Sequence, residues 1–324
     1  TINTIGGSIE FNKNDINGFI NEVKKKFEGD DVKENAINVL TVTLPNDETT
    51  YDFKNLDLPS NHYLKLDDGS VINLNDGNLN LILDKNKNPP TINIGENNNN
   101  NVNLSILNLE ENTLKINSLS QEKKDIYIKS ESILNKLLKV EAQQNVKSIT
   151  FDSIILRENG KIQNDKEEVI LKVNSISVQS KSESEINNIE IGSNLNVTQT
   201  SHVTISNSKI EETTINIFLS SFEADDYDKK PILTGNFVDE PKKIALFSLI
   251  KNNDEVKENT GYLLIEGTFT NCNNWANNIV FGDTGFNEGV CSDTNSLNAD
   301  EEKKKEFLFV KKVNQPSFDK GKKL

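Results

Sequence analysis

The sequence predicts an all-β fold of the solenoid kind, a coil of short strands closed at its N-terminal end by one amphipathic helix. Three observations carry this. Between Val42 and Ile217, apolar residues recur in alternating pairs and triplets, with spacings of roughly 10 to 12 residues, which suits about two strands per turn of about 20 to 25 residues. The dividers between these runs are turn clusters, each too short to hold a crossover helix. The composition, 34% hydrophobic in 324 residues, suits a thin repetitive core better than a large spherical one. The ordered alternation argues against wholesale disorder.

The chain opens with Ile5-Gly6-Gly7-Ser8-Ile9-Glu10-Phe11, an alternating segment that reads as a first strand. A helix follows, with Asn14 or Asp15 placed to cap it and Ile16, Phe19, Ile20, Val23 and Phe27 on one stripe. Lys24, Lys25 and Lys26 lie in its last turn, where cations suit the helix dipole, and Gly29 is placed to end it. A single amphipathic helix with no helical neighbour must lay its stripe on something β. The open end of a β-coil, with its exposed apolar side chains and unpaired strand edges, needs such a lid.

From Thr41 to Leu74 the apolar residues fall in short runs: Val42 and Leu44, Tyr51 and Phe53, Leu56 and Leu58, Tyr63 to Leu66, Val71 to Leu74. Pro45-Asn46-Asp47, Pro59-Ser60-Asn61 and Asp67-Asp68-Gly69 divide them. Helix, V-x-L-P turn, Y-x-F strand, Leu-Pro-Ser-Asn turn and Leu-x-Leu-x-x-Gly-Ser strand together resemble the N-terminal entry of the pectin-lyase-like superfamily. The resemblance implies a right-handed parallel β-helix. A second resemblance lies in Gly6-Gly7-Ser8-Ile9 and Phe11-Asn12-Lys13-Asn14, which look like the GGA(I/L/V) and FxxN motifs of polymorphic outer-membrane adhesins; there the motifs repeat many times, here each appears about once.

The alternation then continues through Leu79-Leu81-Leu83, Ile92-Ile94, Leu104-Ile106, Leu114-Ile116, Ile126-Ile128 and Leu138-Val140, and on to Ile215-Ile217. Asn, at about 15% of the chain, suits such a coil. At corners it tolerates the left-handed backbone conformation, and in register its amides can bond up and down a ladder. The tract Asn97 to Asn101 reads as a corner loop. Asp225 to Pro231 and Pro241-Lys242-Lys243 interrupt the rhythm. Residues 1–235 are therefore expected to form the cap and the coil, and 236–324 the final irregular turns and a C-terminal cap, with a small separate domain as the alternative; Ile244 to Ile250 is the most apolar run there, and Tyr262 to Ile265, Asn278 to Phe281 and Phe307 to Val310 read as strands.

A net charge of −14 with one arginine, Arg157, argues against nucleic acid and anionic membranes as partners. The lysines near the C-terminus read as a solvated end. No run of about 18 apolar residues exists to span a membrane. The chain also shows no apolar signal segment and no methionine, which suggests a processed chain or a fragment. Cys272 and Cys291, close together in an Asn- and Gly-rich region, are candidates for a local disulfide of the kind secreted proteins use, with two free thiols as the alternative. Asn103-Leu104-Ser105 and Asn196-Val197-Thr198 are N-glycosylation sequons.

The superfamily resemblance implies two chemistries to look for. Lyases on this fold use an Arg or Lys base beside acidic calcium ligands; Arg157, at a strand end before a turn, reads instead as a surface salt-bridge residue. Hydrolases use paired carboxylates. The adjacent acids Asp30-Asp31, Asp67-Asp68 and Asp225-Asp226 would diverge in a strand, and Asp67-Asp68-Gly69 reads as an ordinary tight turn. Asp225, Asp226 and Asp228 are weak candidates for calcium, in a loop lacking the ordered spacing of a calcium loop. His62 and His202 are too few for a zinc site. Trp275, the sole tryptophan, is a candidate for stacking on a sugar or for closing the end of the core.

The sequence therefore points to an extracellular or cell-surface structural or adhesive β-helix. It would present loops from a rigid coil, possess no obligate cofactor, and contact itself end to end, another surface protein or a glycan. The alternative is a polysaccharide lyase or glycoside hydrolase on the same fold.

Overall fold

The structure, a computed structural model, describes the chain except for residues 12–13, 45–50, 54, 86, 96–99, 180, 198–200, 220–231, 238–241, 249–259, 270–278, 282–289, 292–304 and 315–324. It is a parallel β-solenoid of about 7 turns. In chain order, β1 (Ile2–Glu10) precedes the helix α1 (Ile16–Phe27), followed by β2 (Ile37–Thr43), β3 (Tyr51–Phe53), β4 (His62–Leu66), β5 (Val71–Leu83), β6 (Thr91–Ile94), β7 (Asn101–Asn108) and β8 (Asn112–Ser118). Then come β9 (Lys124–Leu134), β10 (Leu137–Ala142), β11 (Val146–Leu156), β12 (Lys161–Asn164), β13 (Ile170–Val178), β14 (Glu183–Asn187), β15 (Glu190–Val197), β16 (His202–Ser206) and β17 (Thr214–Leu219). The last strands are β18 (Ile232–Phe237), β19 (Lys243–Ser248), β20 (Thr260–Phe269), β21 (Ile279–Phe281), β22 (Val290–Cys291) and β23 (Lys305–Asn314).

Two compact units divide the chain. The first comprises Thr1–Ile154 and Ile162–Lys172. In it, each turn gives one strand to each of two parallel sheets. The first sheet takes β1, β2, β4, the second half of β5, β7 and β9. The second takes β3, the first half of β5, β6, β8 and β10. Pairing is parallel because every turn re-enters its sheet in the same direction, and the alternating residues that face inward are apolar; on the other face of the first sheet Val39, Tyr63, Ile82 and Leu107 form a second buried apolar cluster. In register, Leu40, Leu64, Leu81 and Ile106 stack through the first sheet, and Ile72, Ile92 and Ile116 through the second. All seven are at most 2% exposed, each worth about 1.5–3 kcal/mol of burial.

The lid forms as its sequence dictates. Asp15 caps α1, its Oδ1 accepting from the Gly18 N–H at 2.9 Å. Phe19, Ile20, Val23 and Phe27 are buried, while Ile16 of the expected stripe is only partly so. The helix packs on β1, β2 and β3. Phe19 meets Phe11 edge-on with ring centroids 4.7 Å apart, and Phe53 closes the cluster at 6.1 Å from Phe11 and 6.4 Å from Phe19. Phe27 lies edge-on to the His62 ring at 5.1 Å. At the C-terminal end of α1 the Gly29 N–H bonds Lys26 O at 3.3 Å, and the left-handed glycine conformation expected there is not used, since only Gly7 and Gly69 have positive φ among the described glycines.

The second unit comprises Ile155–Lys161 and Val173–Leu324. Its sheets run β15, β17, β19, β21 and β14, β16, β18, β20. In register, Leu195 pairs with Ile215 and Ile215 with Ile244. The turn length changes along it. Ile186 pairs with Ile205, 19 residues on, whereas Val203 pairs with Leu233, 30 residues on; the extra residues sit where the sequence breaks its rhythm. The second sheet ends in β23, which reverses direction and pairs antiparallel with β20 and β22.

Asparagine takes the corners. Asn35, Asn61, Asn100, Asn145, Asn188 and Asn207 hold φ between 51° and 63°, the left-handed region that only Gly and short polar residues enter readily. Five of them sit one or two residues ahead of β2, β4, β7, β11 and β15. Of the Asn97–Asn101 tract, Asn100 is such a corner and Asn101 begins β7, while 97–99 fall outside the described residues.

Candidate functional site

One small, largely enclosed cavity of about 10 Å³ has carboxylates and an amine in its lining. Lys65, Asp67 and Asp84 line its polar side, and its apolar lining runs into the core at Leu81, Ile106 and Leu114. Strand alternation places Lys65, because its neighbours Leu64 and Leu66 belong to the inward set of β4. Asp84 ends β5 one turn on. Its Oδ2 lies 3.4 Å from Lys65 Nζ, with the two side chains 44% and 47% exposed, so the pair is solvated and weak. Asp67 and Asp68 diverge. Asp67 lines the cavity, whereas Asp68 accepts from the Asn88 backbone N–H at 3.1 Å and from its Nδ2 at 3.3 Å, stapling one corner to the next. The turn itself is tied by Ser70, whose N–H bonds Asp67 O at 3.2 Å, and by the left-handed Gly69. The sequence placed Asp67 in a corner and did not find Lys65 with Asp84, whose only signal is a separation of one turn.

Elsewhere the polar residues of the strands bond along the coil. In the first unit, Asn93 Nδ2 donates to Asn73 Oδ1 at 2.7 Å, Asn117 Nδ2 donates to Asn93 Oδ1 at 2.9 Å, and Asn117 Oδ1 accepts from the Gln144 N–H at 2.9 Å. The register pairs Asn73 with Asn93 and Asn93 with Asn117. In the second unit, Asn216 Nδ2 donates to Asn196 Oδ1 at 2.9 Å and Asn196 Nδ2 to Ser177 Oγ at 3.2 Å. Ser148 bonds Asp125 and Ser153 bonds Glu131; Lys129 pairs with Asp152 and Lys161 with Glu185. At one corner Asn108, fully buried, donates to Lys136 O and Leu137 O and accepts from Asn112 Nδ2.

The residues singled out in the sequence fall as follows. Asn103 is exposed on β7, whereas Asn196 has its amide nitrogen and oxygen both committed to the ladder. Arg157 is partly buried, and its Nε, shut off from water, has no hydrogen-bond partner among the described residues, so the expected salt bridge is not made through that atom. Cys291 lies in β22 beside Phe309. Cys272, Trp275, Asp225, Asp226 and Asp228 lie outside the described residues. Among the described residues no three His, Cys, Asp or Glu side chains gather to hold a metal ion, and no helix is long and apolar enough to cross a membrane.

Compared with known proteins, the chain matches no family model, no curated protein and no solved structure.

Proposed function

We propose that the chain is a surface scaffold outside the cell, a stiff coil that presents corner loops to another surface protein or a glycan. The observation that carries this reading is the use made of the strand polar groups. Asn73, Asn93 and Asn117, and Ser177, Asn196 and Asn216, are bonded turn to turn, so these side chains hold the coil and are not free to converge on a ligand. The exposed groups gather at corners: Glu110 and Glu111, Gln121 and Lys123, Glu158 and Asn159, Glu167 and Glu168, and Glu212 are exposed. Corner loops on a rigid frame are where binding groups are commonly placed. The likeness of Gly6-Gly7-Ser8-Ile9 to an adhesin motif agrees with this use.

Beads coated with the full chain, passed over glycan-coated and protein-coated surfaces, test it. Replacing 109–111 and 121–123 with Gly-Ser linkers is expected to reduce retention, and Asn93→Ala to leave it unchanged. Retention that ignores the corners but falls with the strand substitution would refute the reading.

One observation favours a second reading. Lys65, Asp67 and Asp84, around one small cavity, bring together an amine and two carboxylates, the groups a polysaccharide lyase or glycoside hydrolase of the pectin-lyase-like kind needs. There Lys65 would be the base and the two acids would bind a cation or share proton transfer. Calcium-dependent product formation abolished by Asp84→Asn would favour it.

A further inference from the structure

We infer that the corner at residues 157–160 and the corner stacked on it, residues 179–182, form a site for one oxyanion group, a carboxylate or a sulfate, held by Arg157 and the Ser182 hydroxyl. Both corners belong to the second unit. One turn lies directly over the other there: the Gln179 N–H bonds Leu156 O at 3.0 Å and the Glu183 N–H bonds Glu158 O at 2.7 Å. In a parallel ladder these two bonds set Gln179 beside Arg157 and Glu183 beside Asn159. From 157 to 159 is two residues and from 179 to 183 is four, so the second corner is the longer and Ser182 sits within it. Each corner is closed by its own bond, Gly160 N–H to Arg157 O at 2.7 Å and Ser182 N–H to Gln179 O at 3.3 Å.

The side chains here are short of partners. Arg157 is the only arginine in a chain with 50 Asp and Glu residues, yet no ion pair of the described residues includes it. Its Nε is shut off from water with no hydrogen-bond partner among the described residues, and the hydroxyl of Ser182, a residue 1% exposed, is in the same condition. Native proteins pair nearly all such groups, so an unpaired one points to something it binds. The Nε–H can only donate, and the guanidinium keeps its charge at every working pH. Water would meet the hydrogen bond and leave the charge; an oxyanion meets both. A serine hydroxyl can turn its proton to the same group, and bonds to an ionised acceptor are the strong ones. Arg157 as a whole is only partly buried, which gives a solute a way in.

The net charge of −14 is not felt evenly. Residues 157–161 and 179–185 hold Arg157, Lys161 and Lys181 against Glu158, Glu183 and Glu185, a local balance. Glu185 Oε1 lies 3.5 Å from Lys161 Nζ. Glu158 and Glu183 are exposed, where water and salt screen their repulsion of an incoming anion.

Because Arg157 is the only arginine, the 15N-labelled full chain gives a single Nε–H signal by which to test the site. Titration with sodium sulfate, and separately with sodium glucuronate, is expected to move that signal saturably, and sodium chloride at equal ionic strength is expected not to. Ser182→Ala is expected to weaken sulfate binding about 5- to 10-fold, the loss of one hydrogen bond, while Ser184→Ala, on the strand beyond the corner, leaves it unchanged. Arg157→Lys is expected to abolish the rise in melting temperature that sulfate gives the wild type. A glucuronate-containing oligosaccharide that binds more tightly than glucuronate upholds the site with an acidic glycan as the source of the group; equal affinity upholds it with a free anion as the source. A signal that stays put, moves without saturating or moves as far with chloride overturns the inference, as does unchanged sulfate affinity in folded Ser182→Ala. If Ser182→Ala does not fold, the wild-type titration decides alone. None of these titrations uses the bead retention that tests the scaffold reading, so either can fail without the other.

Discussion

Substituting Asn93 examines the ladder where its geometry is fully defined. Asn93→Ala removes the donor 2.7 Å from Asn73 Oδ1 and the acceptor 2.9 Å from Asn117 Nδ2. Each lost bond costs about 0.5–1.5 kcal/mol net, so the pair is worth about 1–3 kcal/mol, the upper part applying because Asn73 is only 3% exposed. Asn93→Asp separates the two bonds. Its carboxylate still accepts from Asn117 but sets an acceptor against Asn73 Oδ1, so at neutral pH it is expected to be at least as destabilising as Ala. That repulsion raises the folded-state pKa of the introduced acid above its unfolded value. The protonated form, which can donate to Asn73, is therefore the stabilising one: the deficit relative to wild type shrinks as pH falls below about 4 and grows as pH rises through the folded pKa. Urea unfolding followed by strand circular dichroism measures both, with a double-mutant cycle against Asn117→Ala to isolate the second bond. Both variants within about 0.5 kcal/mol of wild type, with zero coupling to Asn117, would refute the ladder as a source of stability.

Phe19→Ala opens the aromatic cluster of the lid and is expected to cost about 3–5 kcal/mol in the same unfolding assay. Expressed in a host that N-glycosylates secreted chains, the protein is expected to carry sugar at Asn103 and not at Asn196, read by intact mass of Asn103→Gln and Asn196→Gln. Ser184 is 3% exposed with no partner for its hydroxyl among the described residues; Ser184→Ala is expected to be neutral or stabilising in thermal melts, because it deletes a buried unpaired polar group.

Much of this fold was legible because a coil repeats one local rule. Phe19, Ile20, Val23 and Phe27 announced the lid through their spacing, and Leu79-Leu81 or Ile92-Ile94 announced strands through alternation. The corner role of Asn61 or Asn145 follows from what an Asn side chain tolerates. The interruptions at Asp225 to Pro231 and Pro241 to Lys243 likewise coincide with the longer turns near β18 and β19. What alternation does not encode is which turn lies over which. Lys65 meets Asp84, and Asn196 meets Ser177 and Asn216, only because particular turns span 19 or 20 residues, and the sequence spacing ranges more widely than that. Arg157, read as a surface pair, shows the same limit, since what lies near a corner is decided by the turns above and below.

Turnover by the full chain on defined neutral and acidic polysaccharides, with and without calcium and with Asp84→Asn alongside, bears most directly on the scaffold reading. The expected result is retention of the chain on its target with no new reducing ends and no unsaturated product from either protein. Product formed by the wild type and lost in Asp84→Asn would contradict it and make the Lys65, Asp67 and Asp84 cluster an active site.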